Sequence, residues 1–197
     1  EPEPPTVTTI RVLPPTWKLA SHDQIGDVQL GRQRSPQHHS GDHMRPYVRV
    51  ANVFEDEIRT HDVLEMNFTP KEFATYHLRR GDLLLNEGQS MELVGRPAMF
   101  RDEIEGCCFQ NTLVRQRVFS GVDPSYALIV LRAQFKAGTY RKIAKITTSI
   151  AHLGADRFRR VEFPLPPVEE QKRIVDLVEE RLSQIDAMET EVNRGLR

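Results

Sequence analysis

The spacing of apolar and polar residues first marks out a set of short β-strands. Tyr47 to Val53 alternates between apolar and polar residues, as a half-buried strand does. Three further apolar runs of β type, at 82–86, 95–100 and 107–119, are separated by turn residues. The pattern predicts four strands in the middle of the chain.

Two short helices interrupt these strands. Thr69 followed by Pro70 places a capping residue and a first helical residue before a segment that reaches about Leu78. Pro124 opens a second segment, whose apolar residues keep helical spacing to about Phe135. Strands interrupted by single helices predict an α+β domain built on a mixed sheet rather than a regular βαβ winding.

The last segment is predicted to be a long helix with an apolar stripe. Its spacing indicates a helix from about Val168 to Asn193, roughly 40 Å long at 1.5 Å per residue. Gln171 and Arg181 interrupt its heptad positions. Because one small domain cannot cover so long a helix, we expect the stripe to pair with another helix in a coiled coil. The expected helix-pairing residues are Ile174, Val178, Leu182, Ile185, Met188 and Val192.

Two segments lack an apolar period of either kind. The first fifteen residues carry five of the thirteen prolines, which predicts a proline-rich linker. Residues 31–45 are polar and histidine-rich and are predicted to form a loop. The chain therefore divides into a linker at 1–15, a globular domain at 16–163 and a helical segment at 164–197.

Length and composition fit one domain of a protein that does not enter a membrane. The chain has 197 residues, 39% of them apolar, with no apolar run long enough to span a bilayer and no basic, apolar leader at its start. We therefore expect a cytoplasmic protein. It begins with Glu1 instead of Met, which is typical of a processed chain or a fragment.

The net charge of −1 conceals two regions of opposite sign. Residues 1–161 hold 22 Lys and Arg against 19 Asp and Glu, whereas residues 162–197 hold 5 against 9. The globular part is therefore slightly basic and the helix acidic, so the overall charge does not exclude a nucleic-acid partner.

None of the common catalytic motifs is present in the sequence. It contains no Gly-x-Gly, no phosphate-binding loop, no Gly-x-Ser-x-Gly and no His-Glu-x-x-His. Glu170-Gln171-Lys172 matches the Glu-x-Lys of metal-dependent nucleases, but it lies in the first turn of the predicted helix, without a strand carboxylate nearby. We expect a protein that is not an enzyme and needs no cofactor.

A metal site is also not expected. His39 and His43 are four residues apart, but they lie in a loop, and only the distant Cys107 and Cys108 could supply sulfur ligands. The histidines are interpreted as loop residues that face solvent or nucleic acid. The two cysteines are interpreted as small core residues of a strand.

Polar and basic residues in several segments are candidates for DNA contact. The stretch from Arg141 to Ser149 combines cations with hydroxyl groups, a mixture that suits phosphate and base contacts and is equally compatible with a solvated basic face. The loops add Arg, Asn and Gln, whose side chains can form paired hydrogen bonds with base edges. The candidates are Arg34, His39, Arg45, Gln89, Gln110, Asn111, Arg141, Lys142, Lys145, Thr147 and Thr148.

Several motifs follow one another along the chain in a characteristic order. The first is Leu13-Pro14-Pro15-Thr16-Trp17, and further ones lie in the segments at 45–53, 78–86 and 94–98. The most specific is Phe163-Pro164-Leu165-Pro166-Pro167-Val168-Glu169-Glu170-Gln171-Lys172-Arg173-Ile174-Val175. Their order resembles a known family, the DNA-specificity (S) subunits of type I restriction-modification systems, in which the last motif is similar to the junction between a target recognition domain and a conserved helix. The match extends over nearly the whole chain from Leu13.

The resemblance implies a non-catalytic subunit that reads one half of a split target in double-stranded DNA. Such a subunit delivers the modification methyltransferase, and through it the restriction subunit, to that site. Family members hold two recognition domains apart with antiparallel helices. This chain has room for one domain and one helix, so it is either a half-subunit that forms a homodimer or a fragment of a longer subunit.

A second hypothesis assigns the chain to a different class. The protein could be an interaction module without DNA binding, whose C-terminal helix recruits a partner protein. The near-neutral total charge favours this alternative.

Overall fold

The computed structural model describes residues 13–147 and 149–195. Its fourteen strands in those ranges are β1 (Lys18–Ser21), β2 (Gly26–Leu30), β3 (Met44–Val48), β4 (Val53–Phe54), β5 (Glu57–Ile58), β6 (Leu64–Asn67), β7 (Leu83–Asn86), β8 (Gly88–Gln89), β9 (Pro97–Met99), β10 (Cys108–Phe109), β11 (Leu113–Val118), β12 (Lys145–Thr147), β13 (Ile150–His152) and β14 (Glu162–Leu165).

Six α-helices alternate with these strands. They are α1 (His22–Ile25), α2 (Pro70–Tyr76), α3 (Pro124–Lys136), α4 (Thr139–Ile143), α5 (Ala155–Arg159) and α6 (Val168–Gly195). The expected α+β class with a long C-terminal helix is confirmed.

Local signals explain where the predicted helices begin. In α2, the Thr69 hydroxyl accepts a hydrogen bond from the Glu72 backbone N–H, and the Glu72 carboxylate accepts one from the Thr69 N–H. In α3, the Asp123 carboxylate accepts hydrogen bonds from the N–H groups of Ser125 and Tyr126. The predictions of α2, α3 and α6 are confirmed.

A four-stranded antiparallel sheet in the order β2-β11-β7-β9 forms the centre of the domain. Successive side chains of β7 point to opposite faces, and both faces are covered, which accounts for three consecutive leucines with no exposed surface. Leu83 and Leu85 pack in the cluster that includes α3, whereas Leu84 packs on the other side with Phe100 and Phe109.

Smaller sheets surround this centre. β3 lies between β10, to which it is parallel, and β6, to which it is antiparallel. β13 lies between β12 and β8, and both pairings are antiparallel. β1 pairs with β14, and β4 with β5. The strand β14 spans residue 163, where the sequence analysis placed the domain boundary; that division stays a prediction.

Two of the four strand predictions were wrong in extent. The expected strand at 47–53 stops at Val48, because the chain turns through a short 3₁₀ helix at Val50–Asn52 before β4. The expected run at 107–119 is divided into β10 and β11 by a tight turn in which the Leu113 N–H donates to the Gln110 carbonyl at 2.9 Å. Residues from both corrected turns contact each other, since the Val50 N–H donates to the Thr112 hydroxyl.

Gln171 attaches the first turns of α6 to the domain. Its fully buried side-chain amide accepts a hydrogen bond from the Asp123 N–H at 2.8 Å and donates to the carbonyls of Gly121 and Pro166. The polar residue that interrupted the heptad pattern is therefore a structural contact between the helix and the turn before α3.

Candidate nucleic-acid interface

The candidate DNA-contacting residues are carried by segments near one end of the central sheet. Strands β2 and β7 finish at this end and β11 and β9 begin there, because Leu30 pairs with Val114, Asn86 with Leu113, and Pro97 with Leu85. We call it the loop end. The segments that leave it are residues 31–43, 87–96 and 110–112.

A first cluster forms around the turn at Gln110 and Asn111. Gln110 forms an isolated parallel bridge with Arg32, and the Asn111 N–H donates to the Arg32 carbonyl at 3.0 Å. The turn therefore lies beside the loop that carries Arg34 and His39, both of which are exposed. Four candidates from two distant stretches of sequence thus lie on neighbouring backbone segments.

Arg45 extends this cluster along β3. Its side chain is exposed, and its guanidinium carbon lies 4.9 Å from the centre of the Phe73 ring in α2. Arg32, in contrast, is buried and paired with the Glu72 carboxylate at 2.8 Å. The buried arginine holds the loop in place, and the exposed Arg45 presents its charge to solvent.

A second cluster surrounds the sheet of β8, β12 and β13. Gln89 lies in β8 and pairs with Ala151 of β13, which in turn pairs with Ile146 of β12. Lys145 and Thr147 occupy the other two positions of β12 and are exposed. Arg141 and Lys142 lie on α4, just before β12, and are also exposed.

One backbone contact joins the two clusters. Glu87 immediately precedes β8, and Thr112 immediately follows Gln110 and Asn111. The Glu87 N–H donates a hydrogen bond to the Thr112 carbonyl at 2.8 Å. The sequence-predicted candidates therefore form two groups on adjoining sheets rather than one continuous patch. Thr148, the remaining candidate, lies outside the described residues.

Several exposed cations of these clusters are free to meet an anion. The side chains of Arg34, Lys142 and Lys145 form no hydrogen bond or ion pair with any residue in the described ranges. Arg141 lies near Glu92, whose pKa is lowered by hydrogen bonds from its own backbone N–H and from Ser90, and further by the Arg141 charge.

The carboxylate of Glu87, between the two clusters, is engaged within the domain, whereas that of Glu92 in the same segment is exposed near Arg141. Glu87 accepts a hydrogen bond from His152 Nδ1 at 3.0 Å and one from the Gly154 N–H at 3.4 Å, and its side chain is largely buried. Gln89 uses its amide oxygen to accept the Ser90 N–H. The surface beside β12 is therefore predominantly basic.

The cysteines and histidines take structural or solvent positions. Cys107 and Cys108 are free and almost fully buried, as predicted, and burial raises the pKa of each thiol to about 12. His39 and His43 are exposed. Across residues 13–147 and 149–195, no three His, Cys, Asp or Glu side chains are grouped as metal ligands.

The apolar stripe on α6 changes its surroundings along the helix. At the start, Val175 is buried in the domain core and Ile174 packs partly against it. Farther along, Val178 is half-buried and the remaining expected pairing residues are exposed, from 41% for Leu182 to 61% for Val192. Within the described chain nothing covers this distal stripe.

The sequence analysis missed three exposed apolar residues near these surfaces. Leu177 adds to the edge of the α6 stripe, and its position three residues after Ile174 could have identified it. Ile146 and Ile150 are exposed on β12 and β13. Their exposure depends on the pairing of β13 with β8, which the sequence pattern alone does not reveal.

An apolar groove of about 360 Å³ lies where α6 leaves the domain. Trp17, Ile129 and Ile174 are among its lining residues, together with parts of α3 and β14. Ile174 thus belongs to both the groove and the α6 stripe, so the apolar surface continues from the domain onto the helix. None of the helices among the described residues is long and apolar enough to cross a membrane.

Comparison with known proteins connects this architecture to one family. Residues 21–196 match the family model described as the type I restriction modification DNA specificity domain. The chain is 23% identical over 181 residues to the type I restriction enzyme EcoKI specificity subunit of Escherichia coli K12, an alignment that includes 91% of this chain and 39% of that protein.

Solved structures show the same fold. The HsdS subunit from Thermoanaerobacter tengcongensis superposes with a TM-score of 0.65 at 20% identity, covering 92% of this chain and 41% of that one. A chain from a structure of the type I R-M system gives a TM-score of 0.66 at 20% identity, covering 90% and 41%. This chain spans about two fifths of the length of these proteins. Because the family model covers most of its length, the chain belongs to the type I restriction modification DNA specificity domain family.

Proposed function

We propose that this chain reads one half of a bipartite target in double-stranded DNA. In this proposal it acts in the cytoplasm as a non-catalytic part of a specificity subunit, without a cofactor. It positions the modification methyltransferase, and through that subunit the restriction subunit, at the recognised site.

The observation that carries the proposal is the grouping near the loop end of basic and amide side chains that can contact phosphates and base edges. Segments from distant parts of the chain present amide side chains and unpaired cations there, and the carboxylate of Glu87 is engaged by His152 and Gly154. Phosphate contacts need cations, and base recognition needs amide or hydroxyl groups with defined orientations. The family match adds independent support.

The candidate residues are assigned two roles. Arg34, Arg141, Lys142 and Lys145 are proposed to contact phosphates, and Gln89, Gln110, Asn111, Thr147 and Thr148 to read bases. His39 and Arg45 are proposed to contact DNA from the first cluster.

The second part of the proposal concerns α6. Its exposed stripe of Val178, Leu182, Ile185, Met188 and Val192 is proposed to pair with the corresponding helix of a second recognition half, which is either another segment of a longer subunit or another copy of this chain. The same helix is proposed to dock the methyltransferase. Exposed apolar surface of this length also suits a protein-interaction module without DNA binding, which is the competing function.

Binding of the assembled methyltransferase to DNA tests the proposal. The probe is a duplex that carries the motif found by methylome sequencing of cells with the intact gene. Scrambling this chain's half of the motif should weaken binding by roughly a thousandfold or more. Binding that ignores the scrambled half would contradict DNA reading and favour the interaction module.

A substitution in the same experiment tests the proposed phosphate contacts. Lys145→Ala should flatten the slope of log affinity against log salt by about 0.9, because one phosphate contact is lost. Lys172→Ala, which removes an exposed lysine from the acidic helix, is the matched control and should leave the slope unchanged. An unchanged affinity and slope for Lys145→Ala would remove this residue from the contact set.

A further inference from the structure

Ile150 lies on the exposed face of the three-stranded sheet in the second cluster. Thr147 pairs with Ile150, and Lys145 pairs with His152, which pairs with Gly88. Paired residues share a face of a sheet and successive residues alternate, so these side chains lie on one face. That face presents Ile150, 45% exposed, between a lysine and a threonine.

Gly88 leaves one side of Ile150 uncovered. A Cβ atom added to Gly88 would lie 3.7 Å from Ile150 Cγ2 and 3.6 Å from His152 Cε1, in ordinary van der Waals contact. A side chain at this position would therefore cover the isoleucine. Because the residue at this position is glycine, the methyl groups of Ile150 remain accessible to a ligand.

A second isoleucine on the same hairpin has the opposite orientation. Ile146 pairs with the buried Ala151 and faces the other side of the sheet, although it is 60% exposed at the edge of the domain. The hairpin therefore carries one isoleucine on each face, and only Ile150 shares its face with Lys145.

The charges around Ile150 indicate the kind of ligand. The Lys145 ammonium group forms no hydrogen bond or ion pair within the described ranges, and Arg141 and Lys142 precede it on α4. The nearby Glu87 carboxylate is engaged by His152 and Gly154, and the exposed Glu92 lies near Arg141. Such a surface suits a polyanion that also carries an apolar group. The major groove of DNA, about 12 Å wide, admits a two-stranded ribbon, and the apolar group displayed there is the C5-methyl of thymine.

We propose that Ile150 contacts the C5-methyl group of a pyrimidine in the major groove and thereby specifies one base pair of the target. This inference rests on the proposed function and adds to it a residue outside the polar candidates. Thymine supplies this methyl group in unmodified DNA, and 5-methylcytosine supplies the same group in methylated DNA.

The test is a cycle that changes the protein and the base together. The assembled methyltransferase is bound to its motif duplex, with each thymine of this half-site replaced in turn by deoxyuridine and each cytosine by 5-methylcytosine. In the unmodified protein, loss of the critical methyl group should weaken binding roughly three- to tenfold. With Ile150→Ala, the duplexes with and without that methyl group should bind equally.

Ile146→Ala is the matched control and should keep the full effect of the methyl group. A methyl effect removed by Ile150→Ala supports the inference, and its position on thymine or on 5-methylcytosine identifies the source. If Ile150→Ala removes no methyl effect at any position while scrambling of the half-site still abolishes binding, the inference is overturned and the proposed function stands. If scrambling has no effect, the proposed function fails and the inference fails with it.

Discussion

At the residue scale, polar side chains inside the domain connect the central sheet to the helix that covers it. His22 is fully buried; its Nδ1 lies 2.8 Å from the Gln116 amide oxygen and its ring stacks on Phe158. Burial lowers the pKa of His22 to about 4, because the charged form loses its hydration, although the hydrogen bonds to Gln116 and Gln134 oppose the shift. The ring lies between Gln116 of β11 and Gln134 of α3 and thus packs the central sheet against its covering helix.

The lowered pKa predicts a loss of stability in mild acid. In the unfolded chain His22 binds a proton near pH 6.5, whereas in the folded chain it does so only near pH 4. The contribution of His22 to the free energy of unfolding is therefore complete above pH 6.5 and is lost as the pH falls towards 4. Between pH 7.5 and pH 5 the free energy of unfolding should fall by about 2 kcal/mol.

Denaturant titrations at those two pH values measure this effect. His22→Gln should be less stable at pH 7.5 but should lose less stability on acidification than the unmodified protein. Burial, followed by the nearby arginine charges, also lowers the pKa of His77. The effect of His77 on the pH dependence of stability is the same in His22→Gln and in the unmodified protein, so it cancels in the comparison. Equal losses in the two proteins would show that His22 is not the titrating group.

At the element scale, the local signals in the sequence were sufficient for the three longest helices. The cap at Thr69, the proline at Pro124 and the heptad pattern after Val168 identified α2, α3 and α6, since a helix forms its hydrogen bonds within one segment. The short helices α1, α4 and α5 were missed, and so were the strands β1, β2, β5, β6, β8, β12, β13 and β14. Each is short, and β2 depends on pairing with β11, about ninety residues away in sequence.

The candidate interface was predictable only in part for the same reason. Residue chemistry identified Gln110, Asn111 and Lys145 as candidates. The contact between Glu87 and Thr112 that joins the two clusters, and the exposure of Ile150, arise from long-range strand pairing. Neither has a periodic signal in the sequence.

The α6 stripe gives a prediction for the whole element. Val178→Asp with Ile185→Asp should abolish helix pairing or methyltransferase docking, because two charges would be buried in an apolar contact. The fold of the domain should persist, since Ile185 is exposed and Val178 only half-buried in the isolated chain. Sedimentation measures assembly, and circular dichroism with thermal melting checks the fold.

The opposite face of the same helix provides the control. Ser183→Asp with Ala187→Asp adds the same charge at exposed positions away from the stripe and should leave assembly intact. Full assembly of a folded Val178→Asp, Ile185→Asp variant would show that the stripe is not the assembly surface.

At the scale of the whole molecule, the separation of charge matches the separation of the two proposed roles. The globular part carries a small basic excess and the helix an acidic one. Several arginines of the basic part are used internally: Arg117 donates two hydrogen bonds to the buried Asp82, and Arg115 pairs with Asp27. The cations left for DNA are therefore few, and tight binding is expected to require the second recognition half.

The most direct test of this account is a domain exchange followed by methylome sequencing. Residues 16–163 are replaced in the intact gene by the segment of the EcoKI specificity subunit that aligns with them, while α6 is retained. The account predicts that the half of the methylated motif read by this domain changes, while the spacing between the two halves stays the same. The other half is retained if a different segment reads it, and it changes as well if a second copy of this chain reads it. A motif that remains unchanged in both halves, with methylation still active, would contradict the claim that this domain reads DNA.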